Sequence, residues 1–176
     1  RAYKALFDLE EVEAKTLVGE ARRALWLDMA KIASERLDRG DEATRLYKAV
    51  LDEDPSSAVA LDSLEKQAER DKDFVTVADV LERRSNLATD TDTKLAVLLK
   101  LGSVYQERLN DNEKTLAVYT RVLEVAPAHQ KAVRVVREGL LLKGDFDQLE
   151  KLYAQTGDYE GLVEILSSAA DKTTDT

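Results

Sequence analysis

Apolar residues recur every three or four positions along almost the whole chain, which is the spacing of one face of an α-helix. Leu95, Leu98, Gly102, Tyr105 and Leu109 form one such series. No run alternates residue by residue as a strand does, and no Asn-Gly pair marks a strand hairpin. The pattern therefore predicts an all-helical chain. Its ten predicted helices cover about residues 2–16, 20–38, 41–53, 57–70, 73–88, 92–109, 112–125, 129–143, 145–155 and 158–170.

The chain repeats itself at an offset of 72 residues, which places residues 24–55 over residues 96–127 without a gap. The two prolines of the protein, Pro55 and Pro127, occupy the same place in both copies. Each copy is predicted to form a helical hairpin, because polar turn residues interrupt it at 38–41 or 110–112 and the proline ends its second helix. Two further hairpins are predicted between and after these copies.

A second alignment leaves one point of topology open. Residues 149–176 also match residues 64–91 at an offset of 85, so the two offsets differ by 13 residues, about the length of one helix. Either the helix at 129–143 or the helix at 145–155 is then an insertion. An inserted helix would reverse the direction of every helix that follows it.

The two copies resemble the tetratricopeptide repeat (TPR), a helix-turn-helix unit with the pattern W-x-x-L-G-x-x-Y, A-x-x-x-F and P. The first copy has Trp26, Ala30, Ala43, Tyr47 and Pro55 at these places. The second copy, listed in the same order, has Leu98, Gly102, Thr115, Tyr119 and Pro127. Both copies carry one extra residue in the internal turn, and the other hairpins lack the proline, as in large bacterial proteins with many degenerate, alternating TPR units.

The resemblance implies a right-handed superhelical solenoid of antiparallel helix hairpins. We expect residues 1–176 to form a single TPR-like domain. Residues 2–12 begin in the middle of an apolar pattern, and the sequence ends where an interior linker is followed by another helix. A section of a longer array is therefore expected, because complete arrays end in polar capping units.

In the TPR family, the first helix of each hairpin lines a concave groove that receives a peptide or a partner protein. Carried onto this sequence, the groove-facing positions are Leu27, Lys31, Ser34, Glu35, Asp62, Lys66, Glu69, Arg70, Leu99, Ser103, Gln106 and Glu107. The lysine and asparagine with which some family members hold a C-terminal carboxylate are replaced here by leucine, lysine and serine. A receptor for chaperone tails is therefore not expected.

The composition argues against several classes of function. With 26 basic and 35 acidic residues the net charge is −9, so nucleic acid should be repelled. The chain has no cysteine and one histidine, too few ligands for a zinc site, and we expect no metal and no cofactor. No apolar run approaches the length of a membrane span, so no membrane insertion is expected. Cytoplasm and periplasm remain equally open as locations.

Four short patterns suggest chemistry only superficially. The glycines at 139 and 144 have phosphate-loop spacing, but Asp145 and Phe146 stand where a lysine and a hydroxyl residue are needed. Ser63 and Lys66 have acyl-transferase spacing without the accompanying motifs. Asp90 opens a stretch without the glycine and glutamate of a calcium loop, and His129 has no nucleophile partner. We interpret these residues as helix caps, linkers and surface positions, not as an enzyme site.

Two functions remain. The first is a non-catalytic scaffold that binds a peptide or a partner protein on the concave face. The second is a structural spacer or a rod that associates with itself through its terminal helices, where apolar stripes would lie open. The two differ in where large apolar residues are exposed, along the groove or on the end helices.

Overall fold

The structure, a computed structural model, describes residues 2–157 and 159–174, with the side chains of all but residues 155, 156 and 168–174. Ten α-helices follow one another along the chain. They are α1 (Ala2–Ala14), α2 (Gly19–Arg36), α3 (Gly40–Glu53), α4 (Ala58–Asp71), α5 (Phe74–Leu87), α6 (Thr91–Val104), α7 (Asn112–Val125), α8 (Gln130–Lys143), α9 (Phe146–Thr156) and α10 (Tyr159–Thr174). A π-helical turn, Tyr105–Leu109, continues α6.

The predicted fold class is confirmed. The described ranges contain helices and connecting turns but no strand, and each helix begins and ends within four residues of its predicted bounds. Consecutive helices pack against each other as antiparallel hairpins from α1 to α5 and from α6 to α10. No described helix is both long enough and apolar enough to cross a bilayer. The right-handed superhelical path and the single domain over residues 1–176 stay predictions.

The chain divides into two compact units, residues 1–89 and residues 90–176. In the first unit, α1 to α5 pack in sequence, each on the next. Four buried alanines let neighbouring helices approach closely, and larger side chains fill the layer between them. The alanines are Ala30, Ala33, Ala43 and Ala60, and the larger buried residues include Phe7, Met29, Leu46, Tyr47, Val50, Leu51, Leu61 and Leu64.

The second unit holds α6 to α10, again packed in sequence. Its core is built around Tyr119 of α7, which is fully buried against Gly102 of α6. A Cβ on Gly102 would lie 2.9 Å from a ring carbon of Tyr119, so glycine is needed for this approach. The prediction that Tyr47, Leu51, Tyr119 and Leu123 are buried is confirmed, with exposed fractions of 6%, 1%, 0% and 8%.

The 72-residue offset persists through both units and removes the topological ambiguity. Helices α3 and α4 recur as α7 and α8 with the same bounds shifted by 72 residues. The Asp73–Phe74 start of α5 recurs as Asp145–Phe146 at the start of α9. Helix α9 has 11 residues where α5 has 14. Helix α9 is therefore a shortened counterpart of α5, and no helix is inserted between α6 and α9. The second alignment instead places α4 over α9 and α5 over α10, one helix out of step with the 72-residue repeat.

The extra residue in each internal turn is absorbed in the last turn of the first helix. In the first copy, the amide of Leu37 donates to the carbonyl of Ile32 at 3.1 Å, a bond that spans five residues. In the second copy the same widening gives the π-helical turn. Asp38 (φ 55°) and Asn110 (φ 52°) then adopt left-handed backbone at equivalent positions. The second helix of each hairpin therefore starts in the same place.

Candidate interaction groove

A groove with a volume of about 390 Å³ lies in the first unit between α2 and α4. Its floor includes Tyr47 of α3, whose ring is buried. The two walls are helices of the same direction, because each is joined to α3 by a short turn. The lining residues are Leu27, Asp28, Lys31, Ser34, Glu35, Tyr47, Val59, Ser63, Lys66, Gln67 and Arg70.

The structure brings six of the eight positions predicted for this unit to one groove. They are Leu27, Lys31, Ser34 and Glu35 on α2, with Lys66 and Arg70 on α4. Asp62 instead forms an ion pair with Arg84 and so faces α5. Glu69 is exposed on α4 and is not among the lining residues. That these positions bind a partner stays a prediction.

Polar side chains connect the two walls at one end of the groove. The hydroxyl of Ser34 donates to Oε1 of Gln67 at 2.5 Å, and a guanidinium nitrogen of Arg70 donates to the Ser34 hydroxyl at 3.0 Å. Gln67 in turn donates to Asp71 at 2.7 Å. These bonds hold α2 and α4 at a fixed separation, so this end of the groove is preorganised.

The groove lining carries a net positive charge, whereas the whole chain is negatively charged. Three lining residues are basic and two are acidic, whereas the whole chain has a net charge of −9. Lys31 and Lys66 are exposed, and neither forms a hydrogen bond or an ion pair with the residues that the structure describes. The groove therefore offers two free ammonium groups to the solvent.

The environment of the groove shifts the pKa of Tyr47. Burial raises the pKa of Tyr47 above its usual value, and a hydrogen bond with the Ser63 side chain opposes that rise. The charge of Glu35 raises the pKa further, while that of Arg70 lowers it. The phenol is thus neutral at physiological pH and acts as part of the floor.

Sequence reasoning missed several of the lining residues. Val59 and Ser63 lie one turn apart in the first half of α4 and complete the wall that Lys66 and Arg70 continue. Ser63 and Val59 precede Lys66 by three and seven positions and so share its face of the helix. This spacing could have identified both residues from the sequence. Asp28 and Gln67, each adjacent in sequence to a predicted position, were overlooked because the four positions transferred to each helix do not include them.

In the second unit, the four predicted positions are less closely associated. Ser103 accepts a hydrogen bond from the ammonium of Lys131 on α8 at 3.4 Å, and the same ammonium lies 5.5 Å from the ring centre of Tyr119. Leu99 is half-buried on α6. Gln106 and Glu107 are exposed on the π-helical turn. Of these four, only Ser103 has a polar contact from α8 within the described residues.

Four of the residues that suggested chemistry, His129, Asp145, Asp90 and Gly144, act as helix caps. Nδ1 of His129 accepts from the amide of Ala132 at 3.2 Å, and Asp145 and Asp90 cap α9 and α6 in the same way. Gly144 takes the left-handed conformation, φ 69°, that ends α8. The capping interpretation is confirmed for all of them. Across the described residues, no three His, Asp or Glu side chains are grouped so that they could hold a metal ion.

The packing of Tyr119 on Gly102 reproduces the small-residue and aromatic contact of a TPR hairpin, and Ala30 and Tyr47 are both buried at the same positions in the first unit. The chain has a TPR-like fold. No family model and no curated protein matches this sequence.

Solved structures that are similar to the chain include two of MamA and one of YrrB. One is MamA, at 18% identity over 96% of this chain and 91% of that one, with a TM-score of 0.45. Another is YrrB, described as a TPR protein with an unusual peptide-binding site, at 17% identity over 84% of each chain and a TM-score of 0.41. A further MamA structure has 19% identity over 98% of this chain and 79% of that one, with a TM-score of 0.40.

Proposed function

We propose that this protein is a non-catalytic scaffold that binds an extended peptide segment of a partner protein in the groove between α2 and α4. The observation that carries the proposal is that six predicted positions, from two separate helices, line one groove. Stacked helical hairpins commonly use such a surface between neighbouring units for binding. The groove volume of about 390 Å³ also lies within the range of about 300–1,000 Å³ typical of ligand sites.

Both the rigidity and the openness of the groove favour binding. Ser34, Gln67 and Arg70 fix the spacing of its walls before a ligand arrives, which lowers the entropy lost on binding. Leu27 is half-buried and Val59 is 60% exposed, so apolar surface is available to a partner. The lining residues include no histidine or cysteine that could act as a base or nucleophile beside Ser63, which supports binding over catalysis.

Selection of random nine-residue peptides against the purified chain tests the proposal. We expect selected peptides to bind the wild type and to lose at least tenfold in affinity on Leu27→Glu, which places a charge in the groove. Val75→Glu is the matched control, because Val75 is 62% exposed on α5 and does not line the groove. Failure to select any peptide, or binding that survives Leu27→Glu with helicity unchanged, would overturn the proposal.

Self-association through the terminal helices is a second candidate, favoured by exposed apolar residues on both. These residues are Tyr3, Leu6, Leu9 and Val12 on α1, and Tyr159 and Val163 on α10. On α1 they recur every third position and form a stripe that a second copy, or another hairpin of a longer array, would cover. Sedimentation of the wild type and of Leu9→Glu tests this. A concentration-dependent mass that Leu9→Glu abolishes supports the candidate, and a monomer at all concentrations contradicts it.

A further inference from the structure

The groove between α2 and α4 changes in character along its length. Leu27 and Val59 form an apolar end, since they come first on their two parallel helices. One turn further along α2 is Lys31, and on α4 Ser63 and Lys66 follow. Ser34, Gln67 and Arg70 close the far end with their hydrogen bonds. An occupant therefore meets an apolar region first and a basic region next.

The basic region lacks a counter-charge. Lys31 and Lys66 stand on opposite walls, and neither has an ion-pair partner in the described part of the chain. Two like charges across a partly enclosed groove repel each other, and a carboxylate placed between them would relieve that repulsion. Such a group would form charge-assisted hydrogen bonds with both ammonium groups.

The two acidic lining residues do not pair with these lysines. The charge of Asp28 raises the pKa of Glu10 on α1. The charge of Glu35 raises the pKa of Tyr47, and that of Arg70 lowers it. Neither carboxylate forms a hydrogen bond or an ion pair with Lys31 or Lys66 in the structure.

The distance between the apolar and basic regions determines how far apart the matching side chains of a bound peptide must be. Leu27 and Lys31 are four residues apart on one helix, a rise of about 6 Å. An extended peptide advances about 3.3 Å per residue, so about two of its residues span that distance. Consecutive side chains of an extended peptide point to opposite sides, so every second side chain faces the groove.

We propose that the groove selects an extended peptide with an acidic residue two positions from an apolar residue. The apolar side chain lies against Leu27 and Val59, and the carboxylate lies between Lys31 and Lys66. This specificity rests on the proposed function, because it requires that the groove bind a peptide at all. It differs from recognition of a chain terminus, since an internal acidic side chain supplies the charge.

Four blocked peptides test the proposal by fluorescence anisotropy. The probe has the core Leu-Ser-Glu between Gly-Ser and Ser-Gly flanks, acetylated and amidated so that no terminal charge contributes. We expect Leu-Ser-Gln to bind about tenfold more weakly, the loss of about 1.4 kcal/mol that one charge-assisted contact represents. Ser-Ser-Glu, without the apolar side chain, and Leu-Ser-Ser-Glu, with altered spacing, should weaken binding similarly.

Charge reversal on the protein gives the decisive comparison. The double variant Lys31→Glu and Lys66→Glu should prefer a Leu-Ser-Lys peptide to Leu-Ser-Glu. Lys15→Glu with Lys143→Glu, an equal charge change at exposed positions away from the groove, should leave the wild-type preference intact. The double variant Lys31→Gln and Lys66→Gln removes both positive charges without introducing two carboxylates that repel each other.

The outcomes separate the specificity from the function. Peptides from the random selection that bind the groove, but show no acidic residue two positions from an apolar one, would overturn the specificity and leave the scaffold function standing. Equal binding of the glutamate and glutamine probes would do the same. If no peptide at all binds in the groove, the scaffold function is wrong and the specificity falls with it.

Discussion

The side chains of Tyr47 on α3 and Ser63 on α4 lie next to each other in the groove, close enough for the serine hydroxyl to lower the pKa of the phenol. The 72-residue offset places Tyr119 and Val135 at the same two positions in the second unit, and valine offers no such partner. The Tyr119 hydroxyl is buried, and no described residue bonds it. Two tyrosines at equivalent positions therefore differ in whether a polar side chain lies beside their hydroxyl group.

Removing the two hydroxyl groups should have opposite effects on stability. Tyr119→Phe deletes a buried polar group without a partner and should raise the free energy of unfolding by about 1 kcal/mol. Tyr47→Phe removes the polar contact with Ser63 and should lower it by about 1 kcal/mol or less. Urea denaturation of both variants measures the difference. A loss of stability in Tyr119→Phe would show that its hydroxyl is satisfied after all.

The close approach of α6 and α7 predicts the effect of a single methyl group. In Gly102→Ala the new Cβ would lie 2.9 Å from the buried Tyr119 ring, which cannot rotate away, so we expect a loss of about 1–3 kcal/mol. Gly139→Ala is the matched control, because its Cβ would meet the flexible end of Leu116 at 3.0 Å. The control should be near neutral or stabilising, since alanine favours helix. Equal effects would contradict the steric explanation.

The packing of α1 on α2 should weaken as pH rises. Burial, and then the charges of Asp28 and Glu13, raise the pKa of Glu10 above its usual value. A raised pKa in the folded state means that the contribution of Glu10 to stability is greatest when the group is protonated and is lost as pH rises through that pKa. Glu10→Gln should therefore raise the unfolding midpoint at pH 7, by an amount that shrinks toward pH 4.

Glu11→Gln is the control for this experiment, because Glu11 is exposed on the same helix. It changes the net charge by the same amount. If both variants shift the midpoint equally, the effect comes from net charge and not from the position of Glu10.

The N-cap of α5 predicts a loss of stability on truncation. Asp73 accepts a hydrogen bond from the amide of Thr76 at 3.1 Å, and the Thr76 hydroxyl accepts another from Lys48 of α3 at 3.1 Å. Asp73→Ala should cost about 0.5–2 kcal/mol in the free energy of unfolding. Asp145→Ala, at the equivalent cap of α9, should cost less because Gln148 there is exposed whereas Thr76 is buried.

The Asp73 contribution should also depend on pH. Hydrogen bonding with Thr76 lowers the pKa of Asp73 below its usual value. Its stabilisation is then present at neutral pH and lost as the pH falls below the unfolded value of about 3.8 toward the lower folded pKa. The stability difference between Asp73→Ala and wild type should disappear in strong acid, and a constant difference would contradict the assignment.

Much of the fold could be predicted because its determinants are local in sequence. Helical periodicity, Pro55 and Pro127 after the helix ends, and the capping role of His129 are all visible within a few residues. Trp26 occupies the tryptophan position of the repeat pattern, but it is only partly buried, and the guanidinium of Arg22 lies 5.0 Å from its ring centre. That contact depends on how far the neighbouring helices cover α2.

The groove could be predicted only in part, because tertiary contacts decide which side chains reach it. Asp62 shares the helical face of Lys66, but Arg84 on α5 draws its carboxylate away. Val59 was not selected, because the positions transferred from the family pattern begin at Asp62 and leave out the start of α4. Contacts between helices determine which side chains reach the groove, and the periodicity of a single helix does not reveal those contacts.

The preserved spacing of the helices has a consequence for how such a chain can change in length. Recombination that adds or removes 72 residues would join helix ends of the same kind and keep every turn, including the left-handed residues at 38 and 110. Recombination by one hairpin would instead place Glu65, which forms an ion pair with Arg84, at the position of the uncharged Ala30. The heritable module of this protein is therefore four helices long, and loss or gain of half a module would be selected against.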